Sequence, residues 1–203
     1  MHWLNEFLKF CRPVSRLTGS EWADAKRFIS LGTTAEPGPW RTYRTPYLQE
    51  PMEAATDKQR ENIVLMFASQ VGKSELLLNV LGYYADQEPS PQLMLQPTVE
   101  MAQAFSKERI APMFRDSPGL AGKLIEGKEG RGTEKKSSTT ILMKHYSGGF
   151  LALVGANSPA GLASRPIRIL LADEVDRYPE SAGKEGDPLK LAVQRTQNFG
   201  NRK

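Results

Sequence analysis

Hydrophobic and polar residues follow two periods along this chain, and the changes of period mark out its elements. Trp3, Leu4, Phe7, Leu8 and Cys11 recur at helical spacing and predict a short amphipathic helix to about Arg12, ahead of Pro13. Its aromatic face suits packing on the rest of the protein or docking on a partner. Thr18 and Glu21 have the spacing of a capping box, with Leu17 and Trp22 as its hydrophobic staple, and open a second helix over 21–29. Four prolines within 35–51 predict an extended linker, and 51–62 reads as helical. The apolar run 63–68 predicts a strand and 73–86 a helix. Residues 92–96 predict a strand that stops at Pro97. An amphipathic helix follows over 99–114, through Met101, Phe105 and Ile110. Residues 139–146 and 150–155, joined by Ser147-Gly148-Gly149, predict a β-hairpin. A last apolar run covers 167–172 and a last helix 188–199. No internal repeat interrupts this order. Strands alternating with helices imply an α/β protein with a mostly parallel sheet flanked by helices.

Two of the apolar runs end in chemistry. The run 63–68 leads into Ser69-Gln70-Val71-Gly72-Lys73-Ser74, and a helix follows. Strand, tight turn, Gly-Lys-Ser and helix is the layout of a phosphate-binding loop. There, backbone N–H groups and the positive helix end meet an anion, which lysine and hydroxyl engage. The usual pattern has a glycine five positions before Gly72, where this chain has Phe67, so only the second half of the motif matches. The run 167–172 ends in Asp173-Glu174. Adjacent carboxylates at the end of an apolar run read either as a core strand followed by a polar cap or as acids at the ligand-binding end of a parallel sheet. In a nucleotide hydrolase Asp173 would hold Mg²⁺ and Glu174 would polarise the attacking water. The order and context of the two motifs together favour nucleotide binding.

Composition narrows the setting. At 203 residues, 39% apolar and 25% charged, the chain suits one soluble domain or one domain with a helical appendage. A net charge of +4 permits a polyanionic partner without requiring one. Cys11 is the only cysteine, so no intrachain disulfide can form and a reducing, intracellular compartment is expected. With His2 and His145 as the only histidines, a zinc site is implausible. Apolar runs of about six residues are too short to cross a bilayer, and the charged amino terminus is not a secretion signal. The glycine-rich stretch 119–138 carries Lys123, Lys128, Arg131, Lys135 and Lys136, interspersed with Glu126, Glu129 and Glu134. It suits either contact with DNA phosphates or a solvated loop.

Several further segments resemble the ATPase half of the large terminase subunit of tailed bacteriophages, of the lambda-like type. They are Leu17-Thr18-Gly19-Ser20-Glu21-Trp22-Ala23-Asp24, Ala35-Glu36-Pro37-Gly38-Pro39-Trp40-Arg41-Thr42 and Thr45-Pro46-Tyr47-Leu48-Gln49. The likeness continues through the Gly-Lys-Ser loop and Gly155-Ala156-Asn157-Ser158-Pro159-Ala160-Gly161-Leu162, to Asp173-Glu174-Val175-Asp176-Arg177-Tyr178-Pro179. The resemblance implies a P-loop NTPase core of the ASCE type over 46–203, preceded by a helical segment and linker over 1–45. It implies an ATP-driven motor in the host cytoplasm that moves double-stranded DNA into a procapsid. Its partners would be a small terminase subunit, the portal and further copies in a ring. By position, Ser69, Gln70, Val71 and Gly72 would form the phosphate loop. Lys73 and Ser74 would hold the β/γ-phosphates and Mg²⁺, Asp173 the metal, and Glu174 would be the catalytic carboxylate. Tyr47 and Gln49 stand where related motors contact adenine, or simply in a turn before a helix.

Two departures from the family pattern stand out. Many large terminases carry an arginine inside the phosphate loop, where this chain has Ser69. Charge stabilisation must then come from elsewhere, a neighbouring subunit included. Arg165 is a candidate for that cation, or a surface arginine paired with a carboxylate. The coupling motif and nuclease domain of full-length members are not within the 203 residues. In the family's core the coupling strand lies between the phosphate-loop strand and the Asp-Glu strand, so an incomplete sheet with low stability or self-association is expected. Three readings follow: a packaging ATPase, another P-loop translocase such as a helicase, or a docking module with an inactive site.

Overall fold

The computed structural model of the chain describes residues 17–32, 36–125, 139–163 and 165–203. The helix expected over 3–12 and the basic stretch 126–138 lie outside these residues. Helix α1, Gly19–Lys26, starts at a complete capping box: the Thr18 hydroxyl accepts from the Glu21 amide, and the Glu21 carboxylate accepts from the Thr18 amide at 2.8 Å. The helix stops three residues short of expectation. Arg27 is already extended (φ −90°, ψ 133°), and β1, Phe28–Ile29, pairs antiparallel with β2, Gly38–Pro39. The Phe28 amide is also taken by the Ser117 hydroxyl at 3.1 Å, so tertiary partners outbid the helical period there.

Instead of an extended linker, residues 36–51 fold into β2, two short 3₁₀ turns (Thr42–Arg44 and Pro46–Leu48) and the first turn of α2, Gln49–Thr56. Trp40 and Leu48 are buried, which anchors the stretch to the core. The prolines do not prevent this. Pro46 occupies the first position of a turn, where its fixed φ fits and its missing N–H costs nothing.

The central sheet has the order β4-β5-β3-β6, with β3 Gln92–Gln96, β4 Met143–Tyr146, β5 Gly149–Gly155 and β6 Ile169–Ala172. Strand β3 runs parallel to both neighbours, with Met94 opposite Leu153 on one side and Leu171 on the other. The β4–β5 hairpin closes the far edge antiparallel. All five residues of β3 are buried, as an inner parallel strand covered on both faces requires. Alternate side chains divide between two apolar clusters. Met94, Leu153 and Leu171 join Trp22, Met52, Leu81 and Tyr84 of α1, α2 and α3, Lys73–Asp86. Leu93, Leu95 and Val154 face α6, Pro159–Ala163, and α7, Pro188–Gln194, through Leu162 and Ala192. The result is a mixed α/β architecture: a mostly parallel sheet between helical layers.

The segment 63–68 differs from expectation. It forms no regular element and belongs to neither sheet. Ile63, Leu65 and Phe67 turn inward, the last two against the first cluster, while Val64 and Met66 are 86% and 92% exposed. The alternation is that of a strand; what it lacks is a ladder partner. Strand β6 bonds β3 on one edge. On the other edge the Lys203 amide donates to Arg168 O and the Leu170 amide to Lys203 O, a single parallel step around Ile169. Arg202 pairs with Glu61 at 3.0 Å, so these last residues stand between β6 and the approach to 63–68.

Between β3 and the hairpin runs one long helical stretch rather than a uniform helix. It comprises α4, Val99–Phe105, a π turn, Ser106–Ile110, and α5, Ala111–Asp116. Thr98 caps α4, and the Ser106 hydroxyl donates to Ile141 O, which fixes the π turn against the segment before β4.

Candidate functional site

The residues expected to form a phosphate loop make a sharp turn rather than a coil. Gln70 (φ 59°) and Gly72 (φ 86°) are both left-handed, and Gly72 is the residue from which α3 starts. A side chain at 72 would be strained by that φ, and its Cβ would sit 3.1 Å from the Leu48 side chain. No side chain caps α3, so its leading N–H groups keep the positive end of a fourteen-residue helix open to an anion. Lys73 and Ser74 are its first two residues, half-buried. The helix is immobilised by Leu76, Leu78, Leu81 and Tyr84, each at most 2% exposed and worth roughly 1.5–3 kcal/mol when buried.

Of the two residues upstream, the structure brings one to the loop. The Tyr47 hydroxyl donates to Val71 O at 3.2 Å, and its ring is otherwise half-exposed. Gln49 instead donates to Glu53 at 2.9 Å along α2, away from the loop backbone.

The acids stand at the carboxyl end of the sheet. The Asp173 amide continues the ladder to Leu95 O at 3.1 Å, and its side chain is buried, accepting one long bond of 3.4 Å from the Gln96 amide. Glu174 is left-handed (φ 50°) and paired with Arg177 at 3.0 Å. Tyr178 donates to Leu95 O at 3.0 Å, and burial, then the negative charge of Asp173, pushes its hydroxyl well above the usual phenol range. A cleft of about 210 Å³ opens here, lined by Gln96, Phe105, Glu108, Arg109, Asp173 and Glu174. Among the described residues, Gln70 and Glu174 are the only non-glycines with positive φ, and each falls in one half of the site.

One ionic chain connects the halves. Glu75, immediately after Ser74, accepts from Arg27 at 2.9 Å and from Arg109 at 3.2 Å. Arg27 is enclosed, and burial holds its guanidinium below the ordinary range despite Glu75. No direct bond joins Lys73 or Ser74 to Asp173 or Glu174. Arg165 is not in the cleft: its guanidinium lies 6.0 Å from the Phe150 ring centre, on the hairpin side, and is exposed. Sequence reasoning missed Gln96, Glu75 and Arg109. Gln96 could have been found as an amide ending an otherwise apolar strand, but nothing in a helical period marks Arg109. Among the described residues no cluster of three His, Cys, Asp or Glu side chains forms a metal site, and no helix is long and apolar enough to cross a membrane.

The family model described as phage terminase large subunit gpA, ATPase domain, matches residues 34–203. The large terminase subunits of Enterobacteria phage P21 and Escherichia phage lambda are each 26% identical to the chain over 180 residues. Those residues are 88% of this chain and 27% of either relative, so the chain spans about a quarter of their length. No solved structure matches.

Proposed function

Because the chain belongs to the family of the phage terminase large subunit gpA ATPase domain, we propose that it binds ATP across the Gly72 loop and the Asp173 cleft. It hydrolyses that ATP as the ATPase part of a motor moving double-stranded DNA into a procapsid. The fold this reading calls for is that of a P-loop NTPase of the ASCE type. One observation carries the assignment of the site: the two strained non-glycine residues, Gln70 and Glu174, lie one in the loop and one beside the buried carboxylate. Such backbone costs of order 1–3 kcal/mol and gathers where geometry serves chemistry.

In this reading the backbone of Ser69, Gln70, Val71 and Gly72 wraps the phosphates at the open end of α3. Lys73 binds the β- and γ-phosphoryl oxygens. Tyr47, held at the loop by Val71, offers its ring to the base, and Gln49 joins it only by releasing Glu53. The donor set fits Mg²⁺: the Ser74 hydroxyl and the Asp173 carboxylate are hard oxygens, and Asp173 accepts only one long bond while buried. When bound, that ion neutralises charge on the β- and γ-oxygens. Glu174 orients the attacking water and accepts its proton. Arg165, exposed and away from the cleft, suits action on a neighbouring copy.

Partners follow from the same reading: double-stranded DNA, a small terminase subunit, the portal and further copies in a ring, in the host cytoplasm. The test is a pair of substitutions. Lys73→Ala is expected to abolish binding of a fluorescent ATP analogue, whereas Glu174→Gln keeps binding and lowers turnover by about 10²–10³-fold. Normal ATP binding by Lys73→Ala would sink the loop assignment. A second reading, a docking module without turnover, is favoured by the unpaired segment 63–68 with Val64 and Met66 exposed. Steady-state ATPase measured with and without DNA separates the two: weak turnover that Glu174→Gln removes is expected of the first, and no turnover in either condition of the second.

A further inference from the structure

We propose that Arg109 is the cation that recognises the terminal phosphate of the bound nucleoside triphosphate, exchanging its contact with Glu75 for the γ-phosphoryl oxygens. This rests on the nucleotide reading of the Gly72 loop. The loop stretch 69–74 holds one cation, Lys73. Phosphoryl transfer spreads charge over the γ-oxygens and gains from a guanidinium that binds them in a fork.

Arg109 is placed for that role by two independent features. It lines the cleft with Asp173 and Glu174, and its guanidinium reaches Glu75, the residue after Ser74. It therefore touches both halves of a site whose other charged groups do not meet. It also sits in the π turn Ser106–Ile110, where the wider winding re-aims side chains relative to a regular helix. The Ser106–Ile141 bond fixes that turn.

The electrostatics make the exchange inexpensive. Glu75 has a second partner in Arg27, whose side chain is 3% exposed and also donates to Phe28 O. When Arg109 leaves, Glu75 stays paired, so no buried carboxylate is stranded. In the reaction, the oxygen of water bonds to the γ-phosphorus as the bond from that phosphorus to the β,γ-bridging oxygen breaks. The electron pair stays on ADP, the proton of water passes to Glu174, and Arg109 holds the charge on the γ-oxygens. A diphosphate lacks those oxygens, and Arg109 then rests on Glu75.

The test measures binding of ADP and of a β,γ-imido ATP analogue, with Mg²⁺, to the chain and to Arg109→Ala and Arg109→Lys. The proposal expects Arg109→Ala to weaken the triphosphate analogue about tenfold or more, the range of a charged hydrogen bond, while ADP affinity stays within about twofold. Arg109→Lys recovers part of the difference. A change equal for both nucleotides would make Arg109 a structural partner of Glu75 and overturn the proposal, as would no change for either. If the unmodified chain binds neither nucleotide, the reading of the loop falls and this one with it; an unchanged ratio in Arg109→Ala overturns only the role of Arg109.

Discussion

Gln70 and Glu174 hold backbone conformations that an L-residue with a side chain adopts at a cost of roughly 1–2 kcal/mol. Glycine removes that strain, although it gives back part of the gain as extra freedom in the unfolded chain. Gln70→Gly is therefore expected to stabilise by about 0.5–1 kcal/mol, which for a chain of this size raises the melting temperature by roughly 1–4 °C. Glu174→Gly is expected to stabilise similarly and to remove turnover. Thermal unfolding followed by circular dichroism checks both, and a lower melting temperature in both variants would show that the surroundings favour these conformations. Not all of this scale was legible beforehand. Gly72, Lys73 and Ser74 are adjacent, so the roles proposed for them rest on local sequence. Arg109 meets Glu75 across 34 positions, and Gln96 meets Asp173 across 77. Contacts of that kind leave no periodic trace.

At the scale of elements, helix α3 was legible because both of its signals are local: Gly72, which the structure finds left-handed, and the largely apolar run that ends at Asp86. The segment 63–68, read as a strand, keeps a strand's alternation of burial but joins no sheet, since ladder membership depends on a neighbour distant in sequence. Helix α1 ended early for the same reason, its last predicted residues being claimed by β2 and Ser117. Packing between elements offers a sharper test. Gly82 sits mid-helix, where alanine would normally gain up to about 1 kcal/mol. Here a Cβ would lie 2.2 Å from the Trp22 ring, which is buried and tied to Asp86 by its indole N–H at 2.8 Å. Gly82→Ala is expected to destabilise by about 1–3 kcal/mol through overpacking, against its helix propensity. Chemical denaturation measures it, and a stabilised variant would mean that α1 shifts freely on α3.

Over the whole molecule, the order of elements and their alternation revealed a parallel α/β sheet with its acids at the carboxyl end, whereas the strand order β4-β5-β3-β6 needed tertiary structure. What ties the helical layer together is equally nonlocal. Asp86, at the end of α3, accepts from Trp22 and Lys26 of α1, from Lys123 beyond α5, and from Gln87. Burial by itself would raise its carboxyl, but the hydrogen bonds from Lys123, Lys26, Trp22 and Gln87 outweigh it and hold the group at about 2, below the ordinary 3.8. The sign follows directly. A depressed folded value means that the unfolded chain binds the proton more readily, so this contribution is complete above about pH 4 and is lost as pH falls toward 2. Asp86→Asn removes the titration and leaves two lysines without their carboxylate. The variant is expected to be less stable than the parent at pH 7, and the gap should narrow steadily between pH 4 and pH 2. Other carboxylates, Asp116 among them, titrate in both proteins and cancel in the difference. Urea midpoints at pH 7, 4, 3 and 2 give the comparison. Parallel stability curves through that window would show that Asp86 does not carry the acid sensitivity of the α1–α3 interface.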